Sequence, residues 1–147
     1  MIRFSEIAYQ RPDMEALKAA VEKATRKVCA AKNYAEVREA YFTLQEMEKA
    51  ADTMYTVCHI RNTVDTADPF YDSEMKWLRE ADAQMIPAFK AWREALAKSL
   101  FRKEFEAEFG PQLFRKIDAA LMTSDEKIVP EAIREGELRQ EIGRATV

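Results

Sequence analysis

Between Asn33 and the turn Asp65–Pro69, the residues Val37, Tyr41, Leu44, Ala51, Tyr55 and Cys58 recur at spacings of four, three, seven, four and three. Glu48 occupies the one gap. A heptad-like seam of this kind is the signature of a long α-helix that lies along a neighbour at a shallow angle. The spacing predicts a helix over 34–64. Asn33 followed by Glu36 has the spacing of a capping box, although the usual box begins with Ser or Thr. Asp68 before Pro69 reads as an N-cap with proline at the first helical position.

The flanking segments follow the same rule. Asp13 after Pro12 opens a first helix running to about Lys32, with Met14, Leu17, Val21, Ala24, Val28 and Ala31 three or four apart. Residues 1–11 read as extended, with Phe4, Ile7 and Tyr9 available to tuck against a helix. A helix over about 69–98 carries Trp77, Leu78, Ala81, Met85, Phe89, Trp92 and Leu96, and Pro87 predicts a kink near Gln84–Met85. A short helix from Ser99 holds Phe101, Phe105 and Phe109, and Gly110–Pro111 stops it. Another holds Leu113, Phe114, Ile117 and Leu121, and a Ser124–Asp125 cap opens the last. The expected fold is all-α, an antiparallel bundle of five or six helices, two of them long, in a single domain over 1–147. Three glycines and five prolines are too few for the turns of a β-sandwich or barrel.

Composition narrows the partners. Charged residues make up 33% of the chain, yet the net charge is only -3, and the pI lies near 5.4. Phosphate binding needs a basic face, so no nucleic-acid partner is expected. No apolar run reaches the ~18 residues of a membrane span, so no membrane partner is expected either. Two widely separated cysteines, Cys29 and Cys58, do not make a disulfide framework and suit a reducing cytoplasm.

Candidate chemistry is sparse. His59 is the only histidine. A zinc-protease helix needs two, at i and i+4, and a di-iron bundle needs Glu-x-x-His, whereas position 56 is Thr. His59 is therefore read as structural or superficial. Cys58, adjacent to it, points ~100° away on a helix and belongs to the seam, so a buried hydrophobe is expected rather than a thiol with its base. Asp65, Asp68 and Asp72 lack the spacing of a calcium loop and are better explained by capping and by the helix dipole. Arg61 and Asp65 are spaced for a surface ion pair. No catalytic, cofactor-binding or metal-binding residue is assigned.

Three stretches, in order, carry a resemblance: FSEIAYQRPD (Phe4 to Asp13), RNTVDTADPFYDSE (Arg61 to Glu74) and LFRKEFEAEFGPQLF (Leu100 to Phe114). The chain resembles the N-terminal region of the oligoendopeptidase F family of zinc metallopeptidases. The resemblance implies a helical, non-catalytic domain forming part of the wall of a cleft in which short peptides are hydrolysed. It implies one zinc, held by a downstream His-Glu-x-x-His motif in a C-terminal catalytic domain of the same protein, with no ligand in these 147 residues. The segment after Asp125 is poorly patterned and stops at Val147 without a C-cap, which is read as favouring an N-terminal fragment. On that reading a face formerly against the catalytic part stays apolar. Phe101, Phe105, Phe109 and Phe114 are its candidates, together with the segment after Asp125, which is expected to pack least well or on a second copy, and a homodimer is a further expected partner. The alternative is a stand-alone helical interaction or regulatory protein.

Overall fold

The computed structural model describes residues 2–123 and 129–145. Among them are a 3-10 turn at Phe4–Glu6 and seven α-helices, with no strand. The expected cap at Ser124–Asp125 lies outside the described residues.

Helix α1 (Met14–Ala30) starts where Asp13 accepts a hydrogen bond from the Ala16 amide at 3.0 Å. Leu17, Val21, Ala24 and Val28 are its buried face, and it ends two residues before Lys32. Helix α2 (Tyr34–Val64) has 31 residues, about 46 Å at 1.5 Å per residue. Asn33 accepts from the Glu36 amide at 3.0 Å. The Glu36 carboxylate reaches back to the Lys32 amide at 2.7 Å, one residue beyond the usual reciprocal bond.

The seam of α2 is divided between two cores. Val37, Ala40 and Leu44 join the main one, with α1 and the later helices. Cys58 joins a second, smaller one with Met75 and Leu78. Glu48 lies between them, half-buried. Burial first, and the Asp52 charge next, hold its carboxyl above the usual range, while Arg93 opposes this.

The stretch 69–98 is two helices rather than one: α3 (Pro69–Gln84) and α4 (Ile86–Ala97). The break falls at Met85, where the kink is predicted. Pro87 has no N–H to give the Ala83 carbonyl, and Met85 itself bonds back to Asp82 at 3.0 Å. The break has a consequence for packing. Helix α3 lies against α2, whereas α4 crosses to α1 and carries Trp92 and Leu96 into the main core.

Helix α5 (Arg102–Phe109) ends at Gly110, whose φ of 85° suits glycine, and α6 (Pro111–Thr123) follows directly. Here the structure overturns one expectation. Phe105 and Phe114 are each 1% exposed, and Phe101 and Phe109 pack against the main core. The four are no interface face. An eight-residue helix with phenylalanines every four residues presents one aromatic ridge, and α2 supplies its counterpart. Phe105 meets Tyr41, Phe109 and Phe114 at ring distances of 5.0, 4.7 and 5.4 Å. Polar bonds frame the ridge. Glu108 accepts from Tyr34 at 2.6 Å and from Arg38 at 2.8 Å, and Arg102 donates to Asp118 at 2.9 Å beneath the Phe114 ring. The homodimer expected through these phenylalanines loses its basis.

Helix α7 (Val129–Ala145) lies on α3 and contributes none of the described core residues. Its Gln140 donates to Asp72 at 2.6 Å and accepts from Arg79. A Cβ on Gly136 would sit 2.5 Å from the Arg79 Cδ, so this glycine permits the close approach. Leu138 and Ile142 are exposed, in keeping with the expectation that the last segment packs least well.

Phe105→Ala should lower stability by about 3–5 kcal/mol in urea unfolding, because it empties the centre of the aromatic ridge. A loss within ~0.5 kcal/mol, as for a surface position, would contradict the burial described.

Candidate functional site

The first two sequence stretches meet in space. The N-terminal segment lies across the hairpin of α2 and α3 and is fastened there by side chains from both. Glu74, near the start of α3, is buried with 8% of its side chain exposed. It accepts from the Tyr9 hydroxyl at 2.7 Å and from Arg11 through both carboxylate oxygens, the Nε contact at 3.1 Å. The Arg11 guanidinium lies 4.2 Å from the centre of the Trp77 ring. A buried carboxylate needs such partners, because a lone charge in this setting is costly. The Arg11 hydrogen bonds hold the Glu74 carboxyl below the usual range, Tyr9 adds to this, and burial opposes it. Burial first, and then the bond to Glu74, push the Tyr9 hydroxyl well up.

Arg61 does not form the expected pair with Asp65. Its guanidinium donates to the Ile7 carbonyl, to Phe4 O at 3.4 Å and to Tyr71 Oη at 3.1 Å. The N-terminal segment offers the Ile7 carbonyl, beyond its 3-10 turn, and the second lone pair of the Phe4 carbonyl, which also accepts from the Ile7 amide at 3.2 Å, and these outcompete an exposed ion pair. Asp65 instead accepts from the Ala67 amide at 3.1 Å, closing the turn, and Asp68 caps α3 through the Phe70 amide at 2.9 Å. With Asp72 bonded to α7, the three aspartates hold chain geometry.

Cys58 is fully buried, 3.9 Å from the Tyr71 carbonyl. Burial first, and the nearby Glu74 charge second, push its thiol up to about 11. It is protonated at neutral pH and inert, as its place on the seam implies. His59 is exposed and faces away, on the wall of a cavity of about 470 Å³ between α2, α3 and α7. Among the described residues, no group of three or more His, Cys, Asp or Glu could hold a metal ion. The donor set of the described residues does not fit zinc.

Sequence reasoning missed two things. One is the Tyr9–Arg11–Glu74 cluster, whose members lie 63 to 65 residues apart. Its only trace is that they fall in the two stretches carrying the family resemblance. The other is Asn62, buried one helical turn beyond Cys58.

Comparison with known proteins agrees with this geometry. A family profile described as the peptidase M3 N-terminal domain matches residues 4–124. The chain belongs to this peptidase family. Among solved structures, it is similar to one described as an oligoendopeptidase F, at 33% identity and a TM-score of 0.91 over 96% of this chain. It is also similar to PZ peptidase A with an inhibitor, at 34% identity and a TM-score of 0.90 over 95% of this chain. A third, described as an oligoendopeptidase F from Bacillus anthracis, shows 30% identity and a TM-score of 0.90 over 96% of this chain. The chain spans about a quarter of the length of these relatives, 25% to 26%. Comparison with curated proteins gave no match.

Two measurements probe the cluster. Because the folded Glu74 carboxyl lies below its unfolded value, its stabilisation is complete above the ordinary carboxylate range and is lost as pH falls through the lower folded value. Glu74→Gln should flatten the acid limb of the melting-temperature profile below about pH 5. An acid limb as steep as the parent's would exclude Glu74 as its source. Native protein should show one thiol reacting rapidly with a disulfide reagent, the exposed Cys29, and both reacting only after denaturation. Rapid modification of Cys58 in the native state would contradict its burial.

Proposed function

We propose that this chain is the non-catalytic N-terminal helical domain of an oligoendopeptidase F-like zinc metallopeptidase acting on short peptides, where it forms part of the wall of the substrate cleft. The observation that carries the reading is the pairing of a close structural match with a site that is purely architectural. Its charged groups go into fastening the N-terminal segment, capping helices and joining α5 to α2 and α6. The one buried thiol is protonated. On this reading the zinc ligands and the catalytic glutamate lie in a C-terminal catalytic domain of the same protein, and the zinc belongs there.

No described helix is long and apolar enough to cross a membrane. With two free cysteines, the reading places the protein in the cytoplasm. The match to a peptidase family favours this account over a stand-alone interaction protein.

The test is the coding sequence beyond the Val147 codon. A His-Glu-x-x-His motif downstream is expected, and the full-length product should cleave short peptides in a zinc-dependent manner. A stop codon directly after Val147, with no partner gene encoding that motif, would overturn the proposal in favour of the interaction protein.

A further inference from the structure

Helix α7 is seated on the molecule without joining its cores. None of its described residues is fully buried, and it lies chiefly on α3. Among the described residues, α3 is held to α2 without it, through Cys58, Met75 and Leu78. The seat of α7 is also imperfect. A cavity of about 470 Å³ remains between α7, α2 and α3. The Arg79 side chain lies directly beneath Gly136, where a Cβ would meet its Cδ at 2.5 Å and its Nε at 3.1 Å. That Nε is buried without a partner among the described residues. Buried polar groups in folded proteins are nearly always bonded, so a helix that shuts water away from this nitrogen without replacing it sits at a cost.

We propose that α7 is a lid that leaves α3 as a unit while α1 to α6 stay folded. Stability is not uniform across a fold, and an element with few buried apolar contacts opens first. Two sets of terms oppose each other here. The bonds of Gln140, to Asp72 at 2.6 Å and to Arg79, hold the lid down. The empty space behind it and the unpartnered Arg79 Nε favour its release. Off α3, a 17-residue helix containing Gly136 and Gly143 is marginal, so undocking and unwinding are coupled. Opening uncovers the α2–α3 wall that α7 covers, with Tyr55, Met75 and Ile86 on it. The inference does not rest on the peptidase reading, since it needs only the way α7 is seated.

The test is native-state hydrogen exchange on the 147-residue chain, read by amide NMR in low urea. The α7 amides should open together, at least about a hundredfold more often than the α2 amides around Leu44, and with a smaller urea dependence. Two alanine substitutions separate docking from helicity, because alanine favours the helix itself at either site. At Gly143 no described atom lies within 4 Å of the added Cβ, so Gly143→Ala should slow α7 exchange about two- to fivefold. Gly136→Ala should instead speed it at least about threefold and leave α1 to α6 unchanged, because the lid no longer closes on Arg79. In an Arg79→Ala background, Gly136→Ala should slow exchange as Gly143→Ala does. The proposal is overturned if α7 exchanges only through global unfolding, or if its amides show no protection at all. It is equally overturned if Gly136→Ala fails to speed exchange, or speeds it as much in the absence of Arg79.

Discussion

Glu74 is the interaction on which the arrangement depends. A carboxylate this deeply buried has to be paired, and its partners come from the opposite end of the sequence. Tyr9 and Arg11 sit in irregular chain that has no hydrogen-bond ladder of its own. Their bonds to Glu74, with Arg61 reading the carbonyls of Phe4 and Ile7, turn that segment into a fixed strap over the α2–α3 hairpin. The strap closes the second core above Cys58, Met75 and Leu78, and Tyr9 stacks edge-on against Tyr71 at 5.8 Å. Three buried apolar residues could not hold a hairpin end alone, so the polar cluster and the small core stabilise each other.

The other end of α2 is held differently. There the main core of α1, α4, α5 and α6 is hydrocarbon and aromatic, and its charged bonds lie at the margin. The break at Met85 makes the division possible. A continuous helix over 69–98 would have stayed beside α2 and left α1 packed on α2 without α4. By ending α3 early, Pro87 sends Trp92 and Leu96 into the main core while Met75 and Leu78 remain in the second. One proline thus determines that the molecule has two cores on a single spine.

The helices were legible because their information is local. Caps at Asp13, Asn33 and Asp68, the seam of α2 and the stop at Gly110 each depend on residues within a turn or two of one another. Two features were not legible. The Phe101, Phe105, Phe109 and Phe114 ridge looked like surplus, because periodicity shows that a face is apolar but not what covers it. Tyr34 and Tyr41 cover it, from a helix some seventy residues earlier in the chain (Tyr34 and Glu108 are 74 apart). Arg61 looked like half of an i, i+4 pair, because spacing on a helix cannot reveal that the distant N-terminal segment will offer it the Phe4 and Ile7 carbonyls. In both cases a long-range partner displaced a local rule.

Helix α7 follows a third logic. It brings no described residue to either core and is joined to α3 by the Asp72–Gln140–Arg79 chain, with Gly136 allowing the approach. A surface attached by a few oriented polar bonds, rather than by apolar area, can be placed to enclose space instead of filling it. Asn62 Nδ2 and Arg79 Nε lie buried beside that space without a partner among the described residues, and each unsatisfied donor costs stability. A leucine at position 62 would avoid part of that cost and continue the apolar line from Cys58.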